Sequence, residues 1–566
     1  MTGYGLTVFE GTRPDRFAIQ VIGVLHNFLP KQDLILIRSD DPRLVHSGIV
    51  AGMSGSPIYL TSPDGDRLAG ALSYGWQFAK DPIAGVTPIE NMLAELERPL
   101  RGRDHTPASE AARESLRKNR LASDEDRRPS YQGMPLPKGL AESSYSSLVR
   151  AAVPLSISGF GAAGFDEIAR AMAPYHMTPM AAGGGAKANA SGPARFEPGG
   201  SIAVELVRGD MSVQGVGTVT WVDGDRVLAF GHPMFNVGEI YLPVATAEIH
   251  TFMSSLSSSF KMASPLVEAG TLVQDRQSCI VADTGHRSDM IPVNVRVASP
   301  GRPDREFHAE VVRHRFLSPM LAATVIANAA QEAASDVADA TITVHTELGV
   351  RGYQPLELTD HSFAPDGLSP KIFAASSGVK AIGELLFNPF TPLNFDRIDV
   401  QIDVDYKPDY AEIIGVSLHS DEIAPGTRPS LTVSLRPYNG AEYTQTIPLD
   451  IPASLAGQLL KIEASAGNLV KPDMAAPEDV RGVMDNLRKS YPASSIVVTI
   501  ETPDEDITLR GSVVSDLPAS IADTLRPGAS TRRGESFKRS ARVIVNTRAV
   551  IGGKQNLQVR VKDQIR

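Results

Sequence analysis

Gly52-Met53-Ser54-Gly55-Ser56-Pro57 follows the apolar run Gly48-Ile49-Val50-Ala51 and lies just downstream of Asp41-Pro42-Arg43-Leu44. A serine between two glycines, with a proline closing the turn, is a backbone arrangement that presents a hydroxyl. Gly52 permits a tight turn in which the N–H groups of Gly52 and Ser54 converge on one point, as an oxyanion hole requires. Gly55 leaves the approach to the hydroxyl open, and Pro57 starts a strand leading away. The motif predicts a nucleophilic Ser54 and sends the search for a base to the rest of the chain. Ser56 is the second hydroxyl of the motif, and the glycine placement favours Ser54.

The base candidate is distant. Val227-Leu228-Ala229-Phe230-Gly231-His232-Pro233 reads as a buried strand ending abruptly on a histidine. A general base needs a fixed position and a pKa near neutrality, and histidine is the side chain that supplies both. A lone histidine beside a turn is more often structural. The pairing of this segment with the serine motif gives it a chemical reading. His26 and His250 also lie beside apolar runs and read as structural, with either available as a base if the fold differs.

Together, Asp-Pro-Arg-Leu, Gly-Ile-Val and Gly-Met-Ser-Gly-Ser-Pro resemble the SpoIVB serine peptidase family, and Leu-Ala-Phe-Gly-His-Pro is similar to its histidine segment. The resemblance covers residues 1–100 and about 199–300. It implies Ser54 as nucleophile, His232 as base and Asp41 as the carboxylate, with Asp40 and Asp210 as alternatives for that third role. It also implies a protein or peptide substrate and an extracytoplasmic setting. In the sporulation members the histidine precedes the serine. Here the order is Asp41, Ser54, His232, so residues 1–100 and 199–300 must pack face to face. A triad is defined by geometry, and chain order does not exclude it.

Rival chemistries are weaker. Ser258-Ser259-Phe260-Lys261 fits Ser-x-x-Lys, but no Lys-Thr-Gly or Ser-Asp-Asn accompanies it, and Lys261 reads as a solvated residue in a serine-rich turn. Position 56 is serine, so Ser54 is not in Gly-x-Ser-x-Gly. The 12 histidines include no His-Glu-x-x-His and no close pair with ligand spacing, so no metal is expected. No phosphate-binding glycine loop is present, and no cofactor is expected.

Composition is that of an ordinary globular chain, with 42% hydrophobic and 21% charged residues in 566. A net charge of −10 argues against nucleic acid as a partner of the whole chain, although residues 526–566 are basic. The single cysteine, Cys279, forms no internal disulfide. No stretch approaches the roughly 18 apolar residues of a membrane span, and no signal peptide is read at Met1-Thr2.

Alternation and turn chemistry predict a mainly β protein, and the family resemblance implies a trypsin-like double β-barrel core; a long insertion, an accessory β-sandwich and small α+β segments complete the expected chain. Residues 1–100 read as the serine-bearing half-barrel. Hairpins are expected at Pro30 and Pro63-Asp64-Gly65, and a helix from the capping box Thr87-Pro88-Ile89-Glu90 to about Glu97. Residues 101–198 read as a partly ordered insertion, an exposed candidate for self-cleavage, with a helix at 164–172 and a flexible glycine tract at 181–186. Residues 199–340 read as the histidine-bearing half-barrel, with a hairpin at Asp223-Gly224 and an Ala-rich helix from Ser318-Pro319. Asp-Gly-Asp-Arg at 64–67 and again at 223–226 fits either related hairpins or chance. Residues 341–470 read as accessory β, with an immunoglobulin-like sandwich at 396–470, and 471–566 as a small α+β segment ending in a basic hairpin around Gly552-Gly553. The second functional reading is a binding or scaffold protein of the cell envelope that keeps the barrels without turnover.

Overall fold

In the computed structural model the described residues are 1–30, 32–76, 79–100, 149–151, 153–181, 192–256, 258–334, 336, 338–474, 477–509, 512–514, 521 and 535–563. They divide into two compact units, Met1–Asn294 with Phe307–Asn328, and Val295–Glu306 with Ala329–Arg566.

The first unit opens with β1 (Thr2–Thr7), β2 (Asp15–Leu29), β3 (Gln32–Ser39), α1 (Pro42–Ser47), β4 (Pro57–Leu60), β5 (Arg67–Gly75), β6 (Ile83–Pro88) and α2 (Ile89–Leu96). The strands close into an antiparallel ring of order β1-β2-β3-β6-β5-β4. The alternation read from the sequence is that of a barrel wall. Phe17 and Ile19 face the core while Ala18 and Gln20 are exposed, and Ile37, Leu72 and Val86 complete the same cluster. Each such side chain contributes about 1.5–3 kcal/mol by leaving water.

A connecting stretch follows: β7 (Val149–Arg150), β8 (Val153–Ser158), α3 (Ala162–Met172) and β9 (Met177–Ala181). The helix stands where its apolar spacing predicts it. Residues 101–148 and most of the glycine tract fall outside the described residues.

The second barrel comprises β10 (Ser201–Gly209), β11 (Ser212–Asp223), β12 (Arg226–Ala229), β13 (Gly238–Met253), β14 (Phe260–Asp275) and β15 (Ile280–Asp283). Its antiparallel ring is β10-β11-β12-β15-β14-β13. Counted within each barrel, both rings therefore have the order 1-2-3-6-5-4. The two Asp-Gly-Asp-Arg turns do not correspond, since one joins strands four and five of its barrel and the other joins strands two and three. Their likeness reflects the common chemistry of Asp-Gly turns.

α2 packs by Met92 against Leu228, Val273 and Val281 of the second barrel. The helix begins as expected, but the capping box is not made. No side chain caps it, because the Thr87 hydroxyl is at the end of β6 and donates instead to the Gly231 carbonyl at 2.7 Å.

In the second unit, strand Phe395–Asp405 shows the predicted alternation, with Ile398, Val400, Ile402 and Val404 all buried. It pairs with Ala340–Val350. The sandwich begins later and runs further than expected. One sheet holds Tyr410–Ser417, Ser430–Pro437, Tyr443–Pro448 and Val550–Gly552, and the other holds Leu459–Ala466, Ser495–Leu509 and Lys554–Val561. Leu431, Val433, Leu435, Ile462, Ile496 and Val559 share one core. The expected terminal hairpin is not formed. Glu535–Asn546 pairs with Ser495–Leu509, Val550–Gly552 with Tyr410–Ser417, and Lys554–Val561 with Leu459–Ala466, so the Gly552-Gly553 bend passes the chain from one sheet to the other.

Candidate active site

Ser54 lies on the connection between the third and fourth strands of the first barrel, and His232 on the same connection of the second. The two connections lie at the meeting of the barrels. Thr218 of β11 donates its N–H to the Ser54 carbonyl at 2.8 Å and its hydroxyl to the Gly52 carbonyl at 2.9 Å, and the Thr220 hydroxyl donates to the Gly55 carbonyl at 2.8 Å. From the other side, Gly231 is pressed on β5, where a Cβ would stand 2.9 Å from Ala71 Cβ and 3.0 Å from Ser73 Cβ. Phe230 and Gly231 both have φ of +69°. This left-handed pair turns the chain sharply out of β12 and delivers His232 to the interface; for Phe230 such a backbone costs about 1–2 kcal/mol.

The Ser54 loop has the geometry its glycines imply. Gly52 and Gly55 both have φ of +96°. A Cβ on Gly55 would run into the Thr218 carbonyl oxygen and stand 2.5 Å from Phe230 N. Gly55 N–H donates to Leu72 O at 2.7 Å, and Leu72 N–H to Ser56 O at 2.9 Å, which ties the loop to β5. The Ser56 hydroxyl donates to Met53 O at 2.7 Å, so it braces the turn, while Ser54 Oγ is buried with no hydrogen bond among the described residues. The Gly52 and Ser54 N–H groups likewise donate to no described residue. Ser54 is 0% and His232 2% exposed, so the centre is covered.

His232 Nδ1 lies 2.8 Å from the Pro233 carbonyl oxygen. A carbonyl only accepts, so Nδ1 carries the proton of this hydrogen bond, and in the neutral ring Nε2 is the accepting nitrogen. The Pro233 turn is held by Asp275 at the end of β14. Its carboxylate accepts the N–H groups of Met234 at 2.8 Å and Phe235 at 2.6 Å, and also those of Asn236 and Val237. Burial raises the Asp275 carboxyl to about 6, with the backbone donors working against that rise. Nothing local in the sequence marks Asp275 beyond its place after an apolar strand.

Asp41, expected as the third member, caps α1 by accepting Arg43 N–H at 2.9 Å, and its two oxygens also take the Arg43 guanidinium at 3.0 and 2.9 Å. The hydrogen bonds from Arg43 hold its carboxyl below the usual range. Asp40 is exposed, and Asp210 accepts the His308 N–H at 2.7 Å. His26 pairs with Asp33 at 2.8 Å and His250 with Ser264 at 2.8 Å, both at exposed positions.

Lys261 departs most from its reading. It is 1% exposed, and its Nζ donates to Thr7 Oγ1 at 2.6 Å, with Thr218 Oγ1 at 3.5 Å. The burial follows from a β-bridge: Ala51 N–H donates to Ser259 O at 2.7 Å and Lys261 N–H to Ala51 O at 3.0 Å, drawing the serine-rich segment against the start of the Ser54 loop. Burial lowers the Lys261 amine to about 7. No cluster of metal-ligating side chains occurs among the described residues.

Residues 3–93 match the model of the family SpoIVB peptidase S55. The matched region runs from Gly3 in β1 to Leu93 in α2 and includes Ser54, and the match supports a serine peptidase in general. Nothing matches among curated proteins or among solved structures. No helix among the described residues is long and apolar enough to cross a membrane.

Proposed function

We propose that the first unit is a serine endopeptidase with Ser54 as nucleophile and His232 as general base. The observation that carries this is the meeting of the two equivalent connections, one bearing a buried hydroxyl with no hydrogen-bond partner among the described residues, the other a histidine with Nδ1 committed to a carbonyl. His232 Nε2 takes the Ser54 proton as Oγ attacks the peptide carbonyl carbon. The resulting oxyanion accepts the Gly52 and Ser54 N–H groups. His232 returns the proton to the leaving amine, the C–N bond breaks, and the acyl-enzyme is hydrolysed by water activated at the same imidazole. We assign the supporting carboxylate to Asp275 in place of Asp41, because Asp275 holds the turn whose Pro233 carbonyl orients the imidazole. Resemblance to the SpoIVB family supports an extracytoplasmic place of action.

The near-complete burial of Ser54 and His232 favours a latent enzyme over an open one, and is also what the scaffold reading would show. A fluorophosphonate probe on the purified chain separates them. Labelling at Ser54 that disappears in both Ser54→Ala and His232→Ala is the expected result, since triad members act as a unit and each loss costs roughly three to six orders of magnitude. Retained labelling in Ser54→Ala would end the assignment. A parent chain that stays unlabelled while a control peptidase reacts would remove the open enzyme and leave the scaffold or a latent enzyme that needs activation.

A further inference from the structure

The edge of β5 is used in three successive ways. β4 pairs with it from Arg67 to Ala71. The nucleophile loop then takes Leu72 by two hydrogen bonds, through Gly55 N and Ser56 O. Beyond Leu72 the edge is free of the barrel's own strands on that side, and the next three residues, Ser73-Tyr74-Gly75, are taken by the connecting stretch. Ala151 N–H donates to Ser73 O at 2.8 Å, and β7 pairs antiparallel with Tyr74 opposite Arg150 and Gly75 opposite Val149.

The same stretch then crosses to the other barrel, where β8 pairs with β11. On the way Pro154 Cγ comes within 3.1 Å of the point where a Gly52 Cβ would stand. Residues 149–151 thus lie on β5 beside the Ser54 loop, and Pro154 lies against Gly52. Ala151 is the residue next to that loop. It is 8% exposed, and its methyl joins the core cluster containing Val50, Met53 and Leu72.

We propose that Ser73–Gly75 is the acceptor edge for an extended polypeptide substrate, and that the chain's own Val149–Ala151 fills it as an internal competitor, with Ala151 in the place of the residue whose carbonyl Ser54 attacks. The substrate class follows: an unfolded or loop segment able to add a strand to β5, with a small apolar residue before the cut bond. Main-chain pairing supplies the binding and the single buried methyl position the selection. The covered state of Ser54 and His232 is then the occupied state of the groove.

This inference rests on the peptidase reading and is tested beside it. The rate of fluorophosphonate labelling at Ser54 is measured on the full chain, on Ala151→Pro, which has no N–H for Ser73 O, and on the parent protected by acetyl-Val-Arg-Ala aldehyde or acetyl-Val-Arg-Phe aldehyde. Losing that hydrogen bond should speed labelling by roughly five- to tenfold. The alanine aldehyde should protect at concentrations at least about tenfold below the phenylalanine one, in keeping with the value of a well-fitted apolar pocket. Protection needs no variant, so it decides the matter even if Ala151→Pro fails to fold. Equal protection by the two aldehydes with unchanged labelling in Ala151→Pro overturns the inference and leaves the peptidase standing. Absence of labelling in every sample removes both.

Discussion

Lys261→Met should stabilise the first unit near neutral pH, and the gain should fade as pH rises. The usual lysine value is 10.5, and burial brings Lys261 to about 7. Between those values the unfolded chain binds a proton that the folded chain does not, so the parent gains stability as pH rises through that window. With one unit worth 1.36 kcal/mol, the amine burdens the fold by about 4 kcal/mol at pH 7 and about 2 kcal/mol at pH 9. Its hydrogen bonds to Thr7 and Thr218 return about 2 kcal/mol of that. Methionine, of similar volume and with no charge to desolvate, should therefore be about 2 kcal/mol more stable than the parent at pH 7 and nearly equal to it at pH 9. Urea unfolding followed by tryptophan emission is the assay, because the chain's 2 tryptophans, Trp76 and Trp221, both lie in the first unit. All other titrating groups are common to the two proteins and cancel in the difference. A parent-to-variant gap that is the same at pH 7 and pH 9 would refute the reasoning, since it would mean that Lys261 keeps its proton throughout.

Gly55→Ala places a methyl against the Thr218 carbonyl at a φ of +96°; the loop must shift, and displacement on the order of 1 Å should slow fluorophosphonate labelling by about 100-fold, whereas a change under threefold would show that the loop geometry does not govern the hydroxyl. Asp275→Asn should lower peptidase turnover by at least about 100-fold through loss of the Pro233 turn, while Asp41→Ala should cost about 1 kcal/mol of stability as a lost helix cap and leave the labelling rate within about threefold. Steady-state kinetics on the two variants decides which carboxylate serves the histidine, and a larger activity loss in Asp41→Ala would reverse the assignment.

What could be read in advance was local. Alternation at Phe17–Ile19 and Ile398–Val404 gave strands, Asp223-Gly224 gave its hairpin, and the glycines at 52 and 55 gave a serine-presenting turn. What could not be read was decided by partners far along the chain. Lys261 lies in a serine-rich stretch that any local measure assigns to solvent, and the bridge to Ala51 buries it. Thr87 had the spacing of a cap, but a carbonyl at Gly231 competes for its hydroxyl and wins. Asp275 carries no motif because its role is to receive main-chain donors, which have no sequence. Asp41 is expected as the third member from the family resemblance alone; Asp-Pro-Arg is also how a short helix opens, and here Asp41 is that helix's cap.

The closed ring of the first barrel has a bearing on how the protein is made. All six of its strands precede Ile89, so on the ribosome this barrel can shut before any of the second is synthesised. At about 5–20 residues per second the histidine follows the serine by roughly 10–40 s. For that interval the nascent chain carries the Ser54 loop without His232 and without the β11 donors that hold its carbonyls. When the second barrel docks, Val149–Ala151 has already been translated, so the β5 edge meets the chain's own strand before it meets any neighbour's.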